Sequence, residues 1–278
     1  MRLLLVLLLG LSSLAHAAHP EGPTELGPRR AGPVRRVVTL APSLTEMVLA
    51  VGAGERLVGV SRFDRMPEVA KLQRVGGFTD PSVEAVLALK PDLVLVFPGP
   101  GNRGPVEKMA QLGLRVLVLP LHTVKDTLAA MRAVGKALDR APQAEALVAR
   151  IEATRARVRA AAAKAKKAPR VLFVYGFEPL VVAGPGSFAD ELLRDAGGVN
   201  IAADAGTAYP VYSAERAVVA RPDVVIDAAD VDVGKEKFVG LPGLREARWV
   251  KVPTLALLQP GPSLGRGLEE LYALLYPN

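Results

Sequence analysis

Ser82-Val83-Glu84-Ala85-Val86-Leu87-Ala88-Leu89-Lys90-Pro91-Asp92-Leu93-Val94 and Ser213-Ala214-Glu215-Arg216-Ala217-Val218-Val219-Ala220-Arg221-Pro222-Asp223-Val224-Val225 are two copies of one phrase. Ser, Glu, a basic residue, Pro, Asp and the last Val recur at a single offset of 131 residues (213 − 82). In each copy an apolar-periodic run behind a Ser and an early Glu predicts a short helix. Pro then stops the helix, because it lacks an N–H and restricts the residue before it. The Val-rich run after Asp predicts a buried strand. The repeat therefore predicts two similar lobes, each carrying one glutamate in the first turn of the same helix.

Outward from the repeat, strands and helices alternate. Strands are expected at residues 36–40, 57–60, 92–97 and 115–119, with helices between them. One helix opens at Ser43-Leu44-Thr45-Glu46, which has the spacing of a capping box; Asp80-Pro81 offers an N-cap and a first-turn proline to the helix carrying Glu84. A further helix spans residues 125–138. Residues 142–167 form one long helical segment with Leu147, Ile151 and Val158 on one stripe and the dense run of basic residues 155–167 on a solvated face. Strands at 171–175, 181–182, 223–226 and 252–258, with helices at 187–195 and 265–275, repeat the alternation. Such alternation predicts α/β architecture: two doubly wound lobes with parallel sheets, joined by one long backbone helix, with a ligand cleft between them. The expected division is a signal peptide at 1–17, a flexible leader at 18–34, an N-terminal lobe at 35–140, a connecting helix at 141–168 and a C-terminal lobe at 169–278.

Residues 1–17 carry Arg2, an apolar run and Ala15-His16-Ala17. This is the pattern of a secretory signal peptide, and the run is shorter than the ~20 residues of a spanning helix. The chain has no cysteine, hence no disulfide and no lipoprotein anchor. Export to the periplasm is expected. The net charge of +7 is spread along the chain without interleaved aromatics, which argues against a nucleic-acid partner.

No nucleophile elbow, P-loop or Ser-His-acid arrangement is present, and no catalytic residue is assigned. Gly99-Pro100-Gly101-Asn102-Arg103-Gly104 fits the dinucleotide fingerprint in letters. It lacks an acid about 20 positions on and comes late in its lobe, so it reads as a glycine-rich cleft loop. His122, at a strand end, is the one metal-contact candidate; a single histidine without Cys or clustered carboxylates does not make a metal site. Phe63, Phe78, Tyr175, Phe177, Tyr209 and Tyr212 fall in loops or at strand ends, where several aromatics facing one cleft suit a large planar ligand. For Glu84 and Glu215, an acid suits a helix N-terminus, and duplication alone explains their matched placement. The functional alternative is a pair of carboxylates that grips a two-fold-symmetric partner.

The segments at residues 36–46, 57–61, 75–78 and 82–94 resemble one family, the helical-backbone periplasmic binding proteins of ABC importers for vitamin B12, haem and iron-siderophores. The chain looks most like the cobalamin-binding branch. That resemblance implies capture of cobalamin or a related cobalt corrinoid as cargo, with no intrinsic cofactor and no catalysis. It implies delivery by a monomer to the transmembrane dimer of an importer permease, docked through Glu84 and Glu215. It implies ligand contacts near Pro42, Phe63, Phe78, Gly101 and Asn102 from the first lobe, and Tyr175, Tyr209 and Arg266 from the second. Phe78 and Tyr209 stand where that branch often has tryptophan. The haem branch is expected to carry a tyrosine where this chain has Gly77. The other readings are the same fold holding haem or an iron-siderophore, and, from another class, an exported α/β enzyme.

Overall fold

The computed structural model describes residues 22–29, 32–99 and 101–277. The segment expected to be a signal peptide lies outside the described residues. The two copies of the repeat fold alike. In the first, Ser82 caps α2 (Val83–Ala88) by accepting the Ala85 N–H, and β5 (Leu93–Val96) follows. In the second, Ser213 caps α7 (Ala214–Ala220) by accepting the Arg216 N–H, and β10 (Val224–Asp227) follows. The residue that turns the chain out of each helix is left-handed, Lys90 at φ 47° and Arg221 at φ 45°.

Each copy is clipped to the lobe's first strand by the same bonds. Arg36, just before β2 (Val37–Thr39), donates through Nε and Nη2 to the Leu89 carbonyl at 3.1 and 2.7 Å. Arg170, at the start of β7 (Arg170–Phe177), does the same to the Ala220 carbonyl at 3.1 and 2.9 Å. These carbonyls are among the orphan acceptors at a helix C-terminus, where a cation is favoured. Asp92 and Asp223 accept the backbone N–H of Arg36 and Arg170 at 2.9 and 2.8 Å, and so fix where each strand pair begins.

The first sheet has the order β1-β6-β5-β2-β3-β4. Its other members are β1 (Thr24–Leu26), β3 (Leu57–Val60), β4 (Gln73–Arg74) and β6 (Val116–Val118). All pairings are parallel except that of β1, which runs antiparallel to β6. The chain winds from β2 outward to β4, then returns to build β5 and β6 on the other side. The winding direction thus reverses at the β2/β5 boundary, where α/β folds place their ligands. Besides α2, this sheet is flanked by α1 (Pro42–Ala50), α3 (Arg103–Gln111) and α4 (Val124–Ala137).

The second sheet has the order β11-β10-β7-β8, with β9 (Val199–Asn200) also on β7. β10 is parallel to both β7 and β11 (Arg248–Lys251), whereas β8 (Leu180–Val182) forms an antiparallel hairpin with β7. The helices α6 (Phe188–Asp195), α8 (Glu236–Val239) and α9 (Leu264–Leu275) complete the lobe.

Between the sheets runs α5 (Ala141–Ala162), 22 residues long, about 33 Å at 1.5 Å per residue. It packs against α4 on one side and α6 and α9 on the other. One hydrophobic cluster consequently runs from Val37 and Leu44 through Leu147 and Ile151 to Leu268 and Leu271.

Several expectations are corrected. Residues 18–34 were expected to be irregular, but Thr24–Leu26 covers the edge of β6, held by Glu25 on Arg115 at 2.5 Å. Three residues are too few to show a period in sequence. The helix at Ser43 starts one residue earlier, with Pro42 in its first turn and no side-chain cap. Proline suits that position because its φ is already helical. Asp80 does not cap α2; it pairs with Arg62 at 2.7 Å. The strand expected at 252–258 lies instead at Arg248–Lys251, since Pro253 cannot donate to a ladder, and a 3₁₀ turn follows at Leu255–Leu257. The basic face of α5 is not wholly solvated: Arg155 and Arg159 both reach Asp195 of α6, at 2.6 and 2.5 Å.

Candidate functional site

The carboxyl ends of the first lobe's strands carry an aromatic ladder. Phe63 lies 5.8 Å from Phe78, Phe78 lies 6.2 Å from Phe97, and Phe97 lies 5.6 Å from His122, centroid to centroid. The turn after β3 sets the outermost ring. Ser61 Oγ donates to the buried Asp64 at 2.6 Å and accepts the Phe63 N–H at 3.3 Å, which leaves Phe63 at the apex, 42% exposed. Gly77 makes room for it, since a Cβ there would stand 2.6 Å from the Phe63 ring.

Asn102 holds the next two rungs. Its side chain is buried; Nδ2 donates to the Phe78 and Phe97 carbonyls at 2.5 and 2.8 Å, and Oδ1 accepts the Gly99 N–H at 3.1 Å. Three partners nearly exhaust an amide's capacity. Asn102 is therefore a brace that sets the Phe78 and Phe97 loops, with its polar atoms turned inward. Gly101 beside it sits at φ 82°, a conformation that suits glycine.

The second lobe presents its own aromatics at the end of β7. Tyr175 lies 5.2 Å from the core ring of Phe173 and 5.6 Å from Tyr209, which is exposed. Gly184 allows the Tyr209 loop to approach, because a Cβ there would stand 2.0 Å from the Thr207 carbonyl oxygen. Burial, and then the neighbouring Tyr209, push the Tyr175 phenol well above its ordinary value, so it stays a neutral hydrogen-bond donor. Phe78, Phe97 and Tyr175 all pack against the edge of the cluster that runs through both lobes. Tyr212 and Phe177 are buried; the Tyr212 hydroxyl donates to the Ile201 carbonyl at 3.1 Å and the Phe177 ring stacks on Trp249 at 6.1 Å, so both have structural roles.

Two arginines considered for the ligand site have carboxylate partners. Arg62 lies over the Phe63 ring at 5.1 Å and pairs with Asp80. Arg266 stands 3.8 Å from Glu270 and acts on Glu46 of the other lobe. Glu46 is the residue that sequence reasoning misplaced. Its spacing from Ser43 imitates a capping box, yet its carboxylate accepts from the Ser263 hydroxyl across the lobe boundary. Burial drives the Glu46 carboxyl above its ordinary value, against the pull of Ser263 and Arg266. Phe97 was also missed; its place directly after β5 was the only signal.

Glu84 and Glu215 are exposed, each in the first turn of its helix. Among the described residues no group of three or more His, Cys, Asp or Glu side chains could hold a metal ion, and His122 meets Phe97. Two cavities of about 610 and 600 Å³ lie elsewhere, one among α4, α5 and α6 and one beside Tyr272 and Tyr276; neither includes the aromatic residues.

Known proteins share this fold. The vitamin B12-binding protein of Salmonella typhimurium is 34% identical over 198 residues, 69% of this chain and 72% of that protein. The periplasmic heme-binding protein RhuT from Roseiflexus sp. RS-1, in apo form, superimposes with a TM-score of 0.74 at 31% identity, covering 87% of this chain and 98% of that one. The periplasmic vitamin B12 binding protein BtuF of Vibrio cholerae superimposes at 0.75 with 24% identity, over 87% and 97% of the two chains, and so shares the fold. The two-lobed α/β architecture and a match over residues 37–251 place the chain in the periplasmic binding protein family.

Proposed function

We propose that this protein captures cobalamin or a related corrinoid in the periplasm and delivers it to the permease of an ABC importer, without chemistry of its own. The observation that carries the reading is the pair of aromatic faces, Phe63-Phe78-Phe97 on one lobe and Tyr175-Tyr209 on the other, with Arg62 over the Phe63 ring paired with Asp80. Broad apolar surface with a few neutral donors suits a bulky, nearly neutral macrocycle. A carboxylate or catecholate siderophore calls for unmatched cations, and Arg62 and Arg266 are matched. Pro42, Gly101 and Asn102 contribute shape: Pro42 opens α1, and Asn102 holds the Phe78 loop.

Haem is the second reading, favoured by the 31% identity to a heme-binding protein. Against it, the tyrosine expected of that branch falls on Gly77, where the Phe63 ring fills the space a side chain needs. Glu84 and Glu215 are the permease-docking carboxylates, one per lobe, suited to the arginines or lysines of a dimeric partner. Residues 1–17 are the export signal, the lobes at 35–140 and 169–278 flank the connecting helix at 141–168, and the mature protein works as a monomer.

The test is selective retention. The purified protein is incubated separately with cyanocobalamin, haemin and a ferric catecholate, then desalted and examined by visible absorption. Retention of the corrinoid spectrum alone is expected. Retention of haem with rejection of the corrinoid would replace the ligand and leave the transport role standing.

A further inference from the structure

Glu46 and Glu191 each make a hydrogen bond that crosses directly between the lobes, and the two share one form. In the first, Glu46 of α1 reaches the N-terminus of α9. Ser263 stands at the N-cap position of α9 but makes no side-chain cap there; its hydroxyl donates to Glu46 Oε1. The approach is close: a Cβ on Gly261 would lie 2.9 Å from Glu46 Oε2 and 3.7 Å from Ser43 Cβ. In the second, Glu191 of α6 reaches the N-terminus of α4. The Val124 N–H, the first amide of that helix, donates to Glu191 Oε2 at 2.7 Å. The capping box of α4 is complete without it, formed by Thr123 and Asp126.

The two contacts are thus reciprocal. A first-lobe carboxylate meets a second-lobe helix start, and a second-lobe carboxylate meets a first-lobe helix start. Both helices are long enough, at 12 and 14 residues, to present orphan amides and a positive dipole end. Each carboxylate has lost part of its hydration, and its compensating partner exists only while the lobes keep their present angle. We propose that Glu46 and Glu191 are inter-lobe positioning residues, two latches that fix the angle between the lobes and so the spacing of the aromatic faces. Among the described residues, α5 holds each lobe through ion pairs along its length, Arg132–Glu145 to α4, Arg155–Asp195 to α6 and Arg157–Glu269 to α9. These fasten each lobe to the helix, whereas the latches join lobe to lobe.

Inter-lobe distance measures this directly. The chain has no cysteine, so spin labels at A88C and V219C, both exposed positions at equivalent places in the repeat, report a single distance by pulsed electron resonance. Glu46→Ala and Glu191→Ala are each expected to broaden the distance distribution, and the double variant to broaden it more than either. Glu46→Gln keeps an acceptor for Ser263 and is expected to restore the narrow distribution, whereas Glu46→Met, of similar length but without an oxygen acceptor, is expected to stay broad, a difference that a general packing role would not produce. Gly261→Ala, which displaces the Glu46 carboxylate by its new methyl, is expected to broaden the distribution with both acids intact. Circular dichroism checks folding, and Ser263→Ala replaces Glu46→Ala if that variant does not fold. Distributions that superimpose on the unmodified protein's in folded Glu46→Ala, or in Ser263→Ala standing in for it, and in Glu191→Ala would overturn the proposal.

A second arm rests on the ligand reading above: release of cyanocobalamin is expected to quicken about tenfold in the double variant, the scale of a lost charge-assisted hydrogen bond. Unchanged release beside a broadened distance distribution would overturn the link between lobe angle and ligand retention. If cyanocobalamin does not bind the unmodified protein, the ligand reading fails and the distance arm still decides the latches.

Discussion

At the residue scale, the site separates side chains that face the ligand from those that hold them. Asn102 belongs to the second group. Asn102→Ala removes three hydrogen bonds from a buried position and leaves two carbonyls and an N–H without their partner. A loss of about 3 kcal/mol is expected in urea denaturation, together with weakened ligand binding as the Phe78 loop loosens. Glu46 predicts a pH effect. Its folded value lies above its ordinary one, so in the interval between them the native state binds more protons than the unfolded chain. Stability should fall as pH rises through and just above the ordinary carboxylate range. Glu46→Gln should flatten that part of the profile in denaturation curves collected across pH; an unaltered slope would show that Glu46 titrates normally. Residue types at strand ends were legible in the sequence, which is why Phe63, Phe78, Tyr175 and Tyr209 could be named. Their division of labour was not, because Asn102 and Glu46 find partners 24 and 217 residues away.

At the scale of elements, the repeat carries more than a helix and a strand. Its basic residue leaves the helix in a left-handed conformation, and its Asp clips the next strand to the lobe's first strand. A left-handed side chain costs about 1 kcal/mol or more relative to glycine. Lys90→Gly is therefore expected to stabilise the protein by about 1 kcal/mol, a rise of about 2–4 °C in Tm for a chain of this size. A lower Tm would mean that Lys90 makes a contact that outweighs the strain. The helices α1, α4, α6 and α9 could be read from their periodicity to within a few positions, whereas α3 had no expected bounds and α5 ends at Ala162, short of the expected 167. Strands β1, β4 and β9 could not be read: their two or three residues lack the apolar run that marks the equally short β2, β6 and β8, and their pairing is imposed by the neighbouring strand edge. The antiparallel turn from β7 to β8 likewise escaped, since Val181 and Val182 give no sign of strand direction.

At the scale of the whole molecule, two lobes share one hydrophobic cluster through α5 and display matched carboxylates on exposed helices. Capture and delivery are expected to separate under mutation. In a reconstituted system, Glu84→Ala or Glu215→Ala alone should reduce stimulation of the permease's ATP hydrolysis, and the double variant should abolish it, with ligand affinity unaltered. Lost affinity alongside normal stimulation would reverse the assignment.

The central claim is that the aromatic faces hold a corrinoid, and calorimetric titration of the purified mature protein with cyanocobalamin tests it most directly. One molecule bound per chain is predicted, with a negative heat-capacity change from buried apolar surface and affinity weakened at least tenfold by Phe63→Ala together with Tyr175→Ala. No heat of binding from cyanocobalamin, with saturable one-to-one binding of haemin under the same conditions, would contradict it.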